Sequence, residues 1–286
     1  MVVGAAGMLG TEVVAALSGR DVTALMRADL DIANGSAVID SVQGYDVVVN
    51  CAAWTAVDAA ETDEASAFTA NAIGPANLAR ACAASGAWLV HISTDYVFAG
   101  GAATPYNEDA DVAPRTAYGR TKAAGEQAVR TELPQRSLIL RTAWLYGREG
   151  PSFVRTIWDL EAQRETLDVV DDQRGQPTNA QQLARRIVAA IDVGASPGIY
   201  HATAAGATTW YDLARRVFEL KGANPNRIHR TTTDPAQRPA RRPAYSVLGH
   251  DRWQIAGLDP MADWSTALDE SWDSLVTAWT REKMAT

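Results

Sequence analysis

Tyr118 and Lys122 lie four residues apart in the run Ala117-Tyr118-Gly119-Arg120-Thr121-Lys122. On a helix these positions sit one above the other on a single face. The ammonium favours the phenolate, so Lys122 is expected to pull Tyr118 down from its ordinary value of about 10. Reaching about 7 takes roughly three units, which Lys122 and a second nearby cation would supply together. A tyrosine tuned in this way exchanges a proton with a carbonyl/alcohol pair near neutral pH. Taken alone, the pair is also what a solvated helix face carries.

Two other segments give the pair a context. Gly4, Gly7 and Gly10 follow the apolar stub Met1-Val2-Val3 and precede an amphipathic stretch from Thr11 to Leu17. A strand, a glycine turn and a helix N-terminus make an anion site, because backbone N–H groups and the helix dipole point at a pyrophosphate. A plain glycine turn without a ligand is the alternative. Trp88 to Ile92 reads as a buried strand that ends in Ser93-Thr94-Asp95. Ligands of open α/β sheets sit outside the carboxyl ends of the strands, where a hydroxyl such as that of Thr94 meets a substrate carbonyl.

The elements that must position these residues follow from hydrophobic period. Asp21–Met26, Asp46–Asn50, Trp88–Ile92 and Ser137–Thr142 read as strands. Leu9–Leu17, Ser36–Val42, Glu64–Ser85 and Ala117–Thr131 read as helices, with a kink or break expected at Gly74-Pro75. Alternation of this kind implies right-handed crossovers and a parallel sheet. Leu167–Val170 and Gly198–His201 are further strand candidates, Asn179–Ile191 carries a helical stripe, and Thr209-Trp210-Tyr211-Asp212 has the form of a capping box. The expected fold is α/β: a doubly wound parallel (Rossmann) sheet with a smaller, discontinuous C-terminal α/β lobe. About 1–147 would be mainly the dinucleotide-binding core and about 148–286 mainly the substrate lobe, with segments near 165–200 returning to the core. The first strand has only three residues before Gly4, against a usual five or six. Either residues are missing upstream or the start is assigned late.

Composition narrows the classes. The 286 residues carry a net charge of −8 and a pI near 5.1, which argues against nucleic acid or an anionic membrane as the main partner. Cys51 and Cys82 are isolated and have no metal-ligand spacing; they read as buried free thiols of a reducing compartment. There is no signal-like segment and no apolar run of the ~20 residues a membrane helix needs, so a cytoplasmic location is expected.

The longer motifs point to one family. Ser93-Thr94-Asp95-Tyr96-Val97-Phe98 resembles the STDYVF signature of dTDP-4-dehydrorhamnose reductases, members of the extended short-chain dehydrogenase/reductase superfamily. Asn50 to Asp58 is similar to the family's NAAxTxVD. Asn71-Ala72-Ile73-Gly74, Arg141-Thr142-Ala143-Trp144-Leu145-Tyr146-Gly147, Asp172 to Thr178 and Arg241 to Leu248 extend the resemblance over nearly the whole chain.

The resemblance implies Thr94, Tyr118 and Lys122 as the catalytic set. It implies a cofactor site at Gly4, Gly7, Met8, Leu9, Gly10, Arg27, Asp31, Ile32, Ala53, Trp54, Thr55 and Ile92, with Tyr118 and Lys122 closing it. An acid at the tip of the second strand would favour NADH. This strand ends Leu25-Met26-Arg27, so NADPH is expected, with NADH left open by Asp29 and Asp31. On the substrate side the resemblance implies Thr94, Asp95, Tyr118 and Trp144 around a dTDP-linked 4-keto-6-deoxysugar. Arg242, with its neighbour Arg241, would face phosphate oxygens.

Some family members bind magnesium at a dimer contact, and one ligand position matches Glu12. The stretch Gly194-Ala195-Ser196-Pro197 lacks the acidic pair expected there, so no metal is expected, and a monomer or weak dimer. The implied reaction is reduction of dTDP-4-dehydro-6-deoxy-L-mannose to dTDP-L-rhamnose, as in dTDP-rhamnose biosynthesis. Two alternatives stay open: a ketoreductase for another nucleotide-linked deoxysugar, and a non-catalytic regulatory homologue of the methionine adenosyltransferase beta-subunit type. A dehydratase would need a second acid after Asp95, where this chain has Tyr96.

Overall fold

The computed structural model describes residues 1–285. Its elements run β1 (Val2–Val3), α1 (Met8–Ala16), β2 (Ala24–Leu25), α2 (Gly35–Val42), β3 (Val47–Asn50), α3 (Val57–Thr62), α4 (Glu64–Phe68), α5 (Gly74–Ser85), β4 (Trp88–Thr94), α6 (Ala117–Glu132) and β5 (Ser137–Thr142). They continue β6 (Leu145–Tyr146), α7 (Phe153–Glu161), β7 (Leu167–Val170), β8 (Arg174–Gly175), β9 (Thr178–Asn179), α8 (Ala180–Asp192), β10 (Gly198–His201), β11 (Thr208–Thr209), α9 (Trp210–Leu220), β12 (Ile228–Thr231), α10 (Asp251–Ile255) and α11 (Trp264–Ala285).

Six strands form one parallel sheet in the order β10-β5-β4-β3-β1-β2. The chain reverses its direction of travel across the sheet between β1 and β3, and the carboxyl ends of those strands are the expected crevice for a dinucleotide. Alternate strand residues bury opposite faces. Val2, Val49, Val90, Leu138 and Leu140 pack with Val13 of α1 and Leu183 and Ile187 of α8. Val3, Val48, Leu89 and Ile139 pack with Val38 of α2, Leu78 and Cys82 of α5, and Val129 of α6. A sheet covered on both faces reads as continuous apolar runs, which is why these strands were visible in the sequence.

A third apolar cluster, built around Ile157, Val217, Phe218, Leu275 and Trp279, joins α7, α9 and α11. Beside it β12 pairs in parallel with β7. The two strand candidates of the C-terminal half thus go to different sheets: β7 to this two-stranded one, and β10 to the edge of the main sheet.

The expected strand over Asp21–Met26 is observed only at Ala24–Leu25. It is the outer neighbour of β1, and the exposed Ala24 leaves it little apolar surface to bury. The expected helix over Glu64–Ser85 is interrupted, though not by Pro75, which sits in the first turn of α5 where no N–H is needed. The interruption is a wider π-type turn at Thr69–Ile73. Within it Asn71 braces the chain after β3, accepting from Trp54 N at 2.8 Å and donating to Trp54 O at 3.0 Å. Its Nδ2 also reaches Thr121 Oγ1 of α6 at 3.1 Å. The close approach to α6 needs Gly125, where a Cβ would lie 2.0 Å from Asn71 O.

Candidate active site

The glycine loop links β1 to α1. Gly4 has φ +76°, and a Cβ there would meet Ala52 N at 2.6 Å, so the ends of β1 and β3 nearly touch. Gly7 caps α1 without any side-chain bond. The N–H groups of Met8, Leu9 and Gly10 open the helix and have no intrahelical acceptors, an arrangement that suits a pyrophosphate. A Cβ on Gly10 would lie 2.2 Å from Gly4 O, so the helix can start this close to the loop only because residue 10 lacks a side chain.

The other expected cofactor residues lie along this edge. Arg27 is exposed just past β2 and has no hydrogen bond or ion pair among the described residues. Asp29 accepts Met26 N at 2.8 Å and Asp31 accepts Ala33 N at 3.0 Å; each spends one oxygen on its own loop. Ile32 is buried against Gly74. Ala53 and Thr55 are exposed on either side of half-buried Trp54, whose Nε1 donates to Ala56 O at 3.0 Å.

Thr94 ends β4, and its hydroxyl donates to Asp95 Oδ1 at 3.0 Å while accepting Tyr96 N at 3.2 Å. Thr116 caps α6 by accepting Gly119 N, which starts the helix one residue before Tyr118. The Tyr118 ring meets Tyr96 edge to face at 5.6 Å. Lys122 is 2% exposed and donates to Ile92 O at 2.6 Å.

One expectation is overturned. Burial pushes the Tyr118 phenol up, to about 12, and the Thr94 hydroxyl opposes that only in part. Desolvation outweighs any help from the Lys122 charge, and the spacing of the two residues carries no sign of how deeply they are buried. Lys122 itself falls to about 8 because it is buried, and its ammonium bonds the Ile92 carbonyl. Asp95 is also buried and is raised to about 6, so its carboxyl ionises late for an aspartate.

Trp144 follows β5 by two residues, and Thr142 of β5 is the register partner of Thr94, so Trp144 belongs to the same end of the sheet. It has φ 47°, a left-handed backbone that bulky residues rarely adopt. Its indole stacks on Trp210 with centroids 3.4 Å apart and planes 9° from parallel. One face of Trp144 is therefore taken.

Arg242 does not wait free for a phosphate. It donates to Asp58 Oδ2 at 2.6 Å, and Asp58 also receives Ala240 N at 3.2 Å and Arg238 at 3.4 Å. Arg241 and Arg242 line a cleft with Arg115, Tyr96 and Pro243. Glu12 is 2% exposed and is held by Arg148 through two bonds of 2.8 and 2.7 Å. Among the described residues no group of three or more His, Cys, Asp or Glu side chains is placed to hold a metal, and no helix is long and apolar enough to cross a membrane.

Spacing missed Asp58 and Arg148 as partners, since each pair is separated by more than a hundred residues. It also missed Trp210 behind Trp144, and Glu126, which a continued count of four from Lys122 would have found.

Comparison with known proteins decides the family. The model described as "RmlD substrate binding domain" matches residues 1–277. The chain belongs to the dTDP-4-dehydrorhamnose reductase family. It is 54% identical to a probable dTDP-4,6-dihydroxy-2-methyloxan-3-one 4-ketoreductase of Streptomyces antibioticus, over 97% of this chain and 96% of that one. It is 52% identical to a dTDP-4-dehydrorhamnose reductase of Streptomyces griseus, over 96% and 93%. Among solved structures, the dTDP-4-dehydrorhamnose reductase of Bacillus anthracis in complex with NADP superimposes with a TM-score of 0.91 at 35% identity, covering 96% of this chain and 98% of that one. This family member is an NAD(P)H-dependent ketoreductase with the Rossmann core described above.

Proposed function

We propose that the chain reduces the 4-keto group of dTDP-4-dehydro-6-deoxy-L-mannose to give dTDP-L-rhamnose. The observation that carries this reading is the gathering of Thr94, Tyr118 and Lys122 around the carboxyl end of β4. When bound, the nicotinamide supplies the hydride for C4. Tyr118, whose raised value keeps it protonated across neutral pH, donates the proton to O4. Thr94 turns its single hydroxyl proton from Asp95 Oδ1 to O4, where negative charge develops. Lys122 holds the nicotinamide ribose and adds positive charge beside the phenol. Trp144 and Asp95 contact the sugar, and Arg242 faces the diphosphate after exchanging Asp58 for it. Residues 1–147 mainly serve the dinucleotide and 148–286 mainly the substrate. We take the working unit to be a monomer or weak dimer, because Arg148 already occupies both oxygens of Glu12.

A second reading has specific support. The Streptomyces antibioticus relative, as similar as the rhamnose-type one, is named for a different keto sugar. Turnover measured over several dTDP-linked 4-keto sugars, with the configuration of each product determined, separates the two readings. The 6-deoxy-L-mannose substrate is expected to give the highest kcat/KM, with the new hydroxyl in the L-rhamno configuration. Tenfold preference for another keto sugar would transfer the assignment to it, and no turnover of any would favour the regulatory homologue.

NADPH is the proposed cofactor, on the strength of an unpartnered Arg27 beyond β2 and of NADP in the Bacillus anthracis structure. Arg27→Asp is expected to shift the kcat/KM ratio toward NADH by roughly tenfold, about 1.4 kcal/mol. A wild-type enzyme that already prefers NADH by that margin would reverse the assignment.

A further inference from the structure

A buried polar cluster lies beneath the site and has no place among the groups proposed to meet cofactor or substrate. Arg141 of β5 is 1% exposed and Glu126 of α6 is 3% exposed. The guanidinium grips the carboxylate through two bonds of 2.9 and 2.7 Å. Ser93 donates to the same carboxylate at 2.6 Å. Arg141 also faces Glu108 O and His201 Nε2, each at 3.4 Å, and lies over the Phe98 ring at 4.8 Å.

Removing a carboxylate and a guanidinium from water is costly, and an apolar filling of similar volume is often as stable. The cluster therefore invites a reason beyond packing, and both of its ends adjoin the reacting groups. Ser93 immediately precedes Thr94 on β4. Glu126 follows Lys122 by four residues on α6, on the same helical face, and Tyr118 precedes Lys122 by four. The three side chains form one row: phenol, ammonium, carboxylate.

The row matters because Lys122 is buried. The titratable groups around it are few. His91 of β4 is held well below its ordinary range by burial and is neutral at pH 7. Cys51, after β3, is pushed up to about 12 and keeps its proton. Tyr118 is protonated for the same reason. The Glu126 carboxylate opposes the burial and favours the charged ammonium. On the far side of Glu126, His201 of β10 falls to about 3 and is also neutral, which leaves Arg141 as the counter-charge.

We propose that Glu126 is a positioning residue for the reaction: held by Arg141 and Ser93 one helical turn beyond Lys122, its carboxylate keeps the Lys122 ammonium charged, while Ile92 O holds that ammonium in place. The part concerning the reaction rests on the role given to Lys122 above; the part concerning charge does not.

The chain's three lysines, Lys122, Lys221 and Lys283, make the charge directly observable. Lysine labelled with 13C at Cε gives three NMR signals, and the one absent from Lys122→Met is Lys122. The wild-type midpoint is expected near 8, and in E126Q it should fall by about one pH unit. The alkaline fall in kcat/KM should move with it. Because E126Q strands the Arg141 charge, E126Q/R141M, which removes both charges, guards against misfolding and should show the same downward direction. E126D should return both readouts most of the way. A Lys122 midpoint unchanged in the folded double variant would overturn the proposal and leave the cluster with packing alone. A midpoint that falls while the rate profile stays fixed would uphold the charge assignment and refute the role of Lys122 in the reaction.

Discussion

Phenylalanine at position 118 is expected to lower kcat roughly 10²–10⁴-fold, the usual cost of losing a general acid, with NADPH affinity nearly unchanged. The substitution removes one oxygen. The ring that packs against Tyr96 stays, and so does the Lys122 bond to Ile92 O. The physical warrant differs from the one the sequence offered. Burial holds the phenol at about 12 and the neighbouring ammonium at about 8, so on raising the pH Lys122 loses its proton first. Below about 8 both groups carry their protons, the arrangement a proton donor backed by a positive charge requires. Single-turnover reduction measured with a fluorescence titration of NADPH gives both quantities. Near-normal turnover in Tyr118→Phe would remove Tyr118 as donor, and a matching loss of NADPH affinity would mean that the hydroxyl serves binding instead.

What was legible in the sequence was what is local. Ser137–Thr142, Leu167–Val170 and Gly198–His201 appear as strands with the bounds read from their apolar runs. Half of the Thr209 capping box is present, with Thr209 Oγ1 accepting Asp212 N at 3.1 Å. Each of these depends on a few adjacent residues. The break in the long helix was expected for the wrong reason: Gly74-Pro75 suggested it, but the close packing of Asn71 against Gly125 accompanies it, and that contact joins two helices.

The site divides the same way. Thr94, Tyr118 and Lys122 were found because each sits in a compact motif. Their electrostatics were misjudged because burial depends on everything folded over them. Arg242 was expected to be free for phosphate, yet its nearest acid is Asp58, 184 residues away in the chain. The spacing rules that found the lysine have no reach over that separation. The bond gives Arg242 a resting partner of the same chemistry as the anion it is proposed to meet.

Alanine at position 10 is expected to weaken NADPH binding by roughly a hundredfold, about 2.7 kcal/mol, a larger penalty than its single methyl group suggests. The methyl would have to lie 2.2 Å from Gly4 O and 2.8 Å from the Ala5 Cα, inside any tolerable contact. Gly4 cannot retreat, since its own Cα is wedged against Ala52, with an added Cβ only 2.6 Å from Ala52 N. The strain must be relieved by moving the start of α1, and that displaces the N–H groups of Met8 and Leu9 from the position a pyrophosphate needs. Gly7→Ala is the control. Residue 7 has an ordinary φ of −76°, and its methyl would sit 3.3 Å from Gly4 O, a contact that a few tenths of an ångström relieve. Gly7→Ala should therefore bind NADPH within a few-fold of wild type, while Gly10→Ala should not. Fluorescence titration of both variants, with thermal unfolding to confirm that each is folded, measures the difference. If a folded Gly10→Ala binds NADPH like the wild type, the cofactor does not rest on this helix, and the glycine spacing serves only to pack α1 against β1.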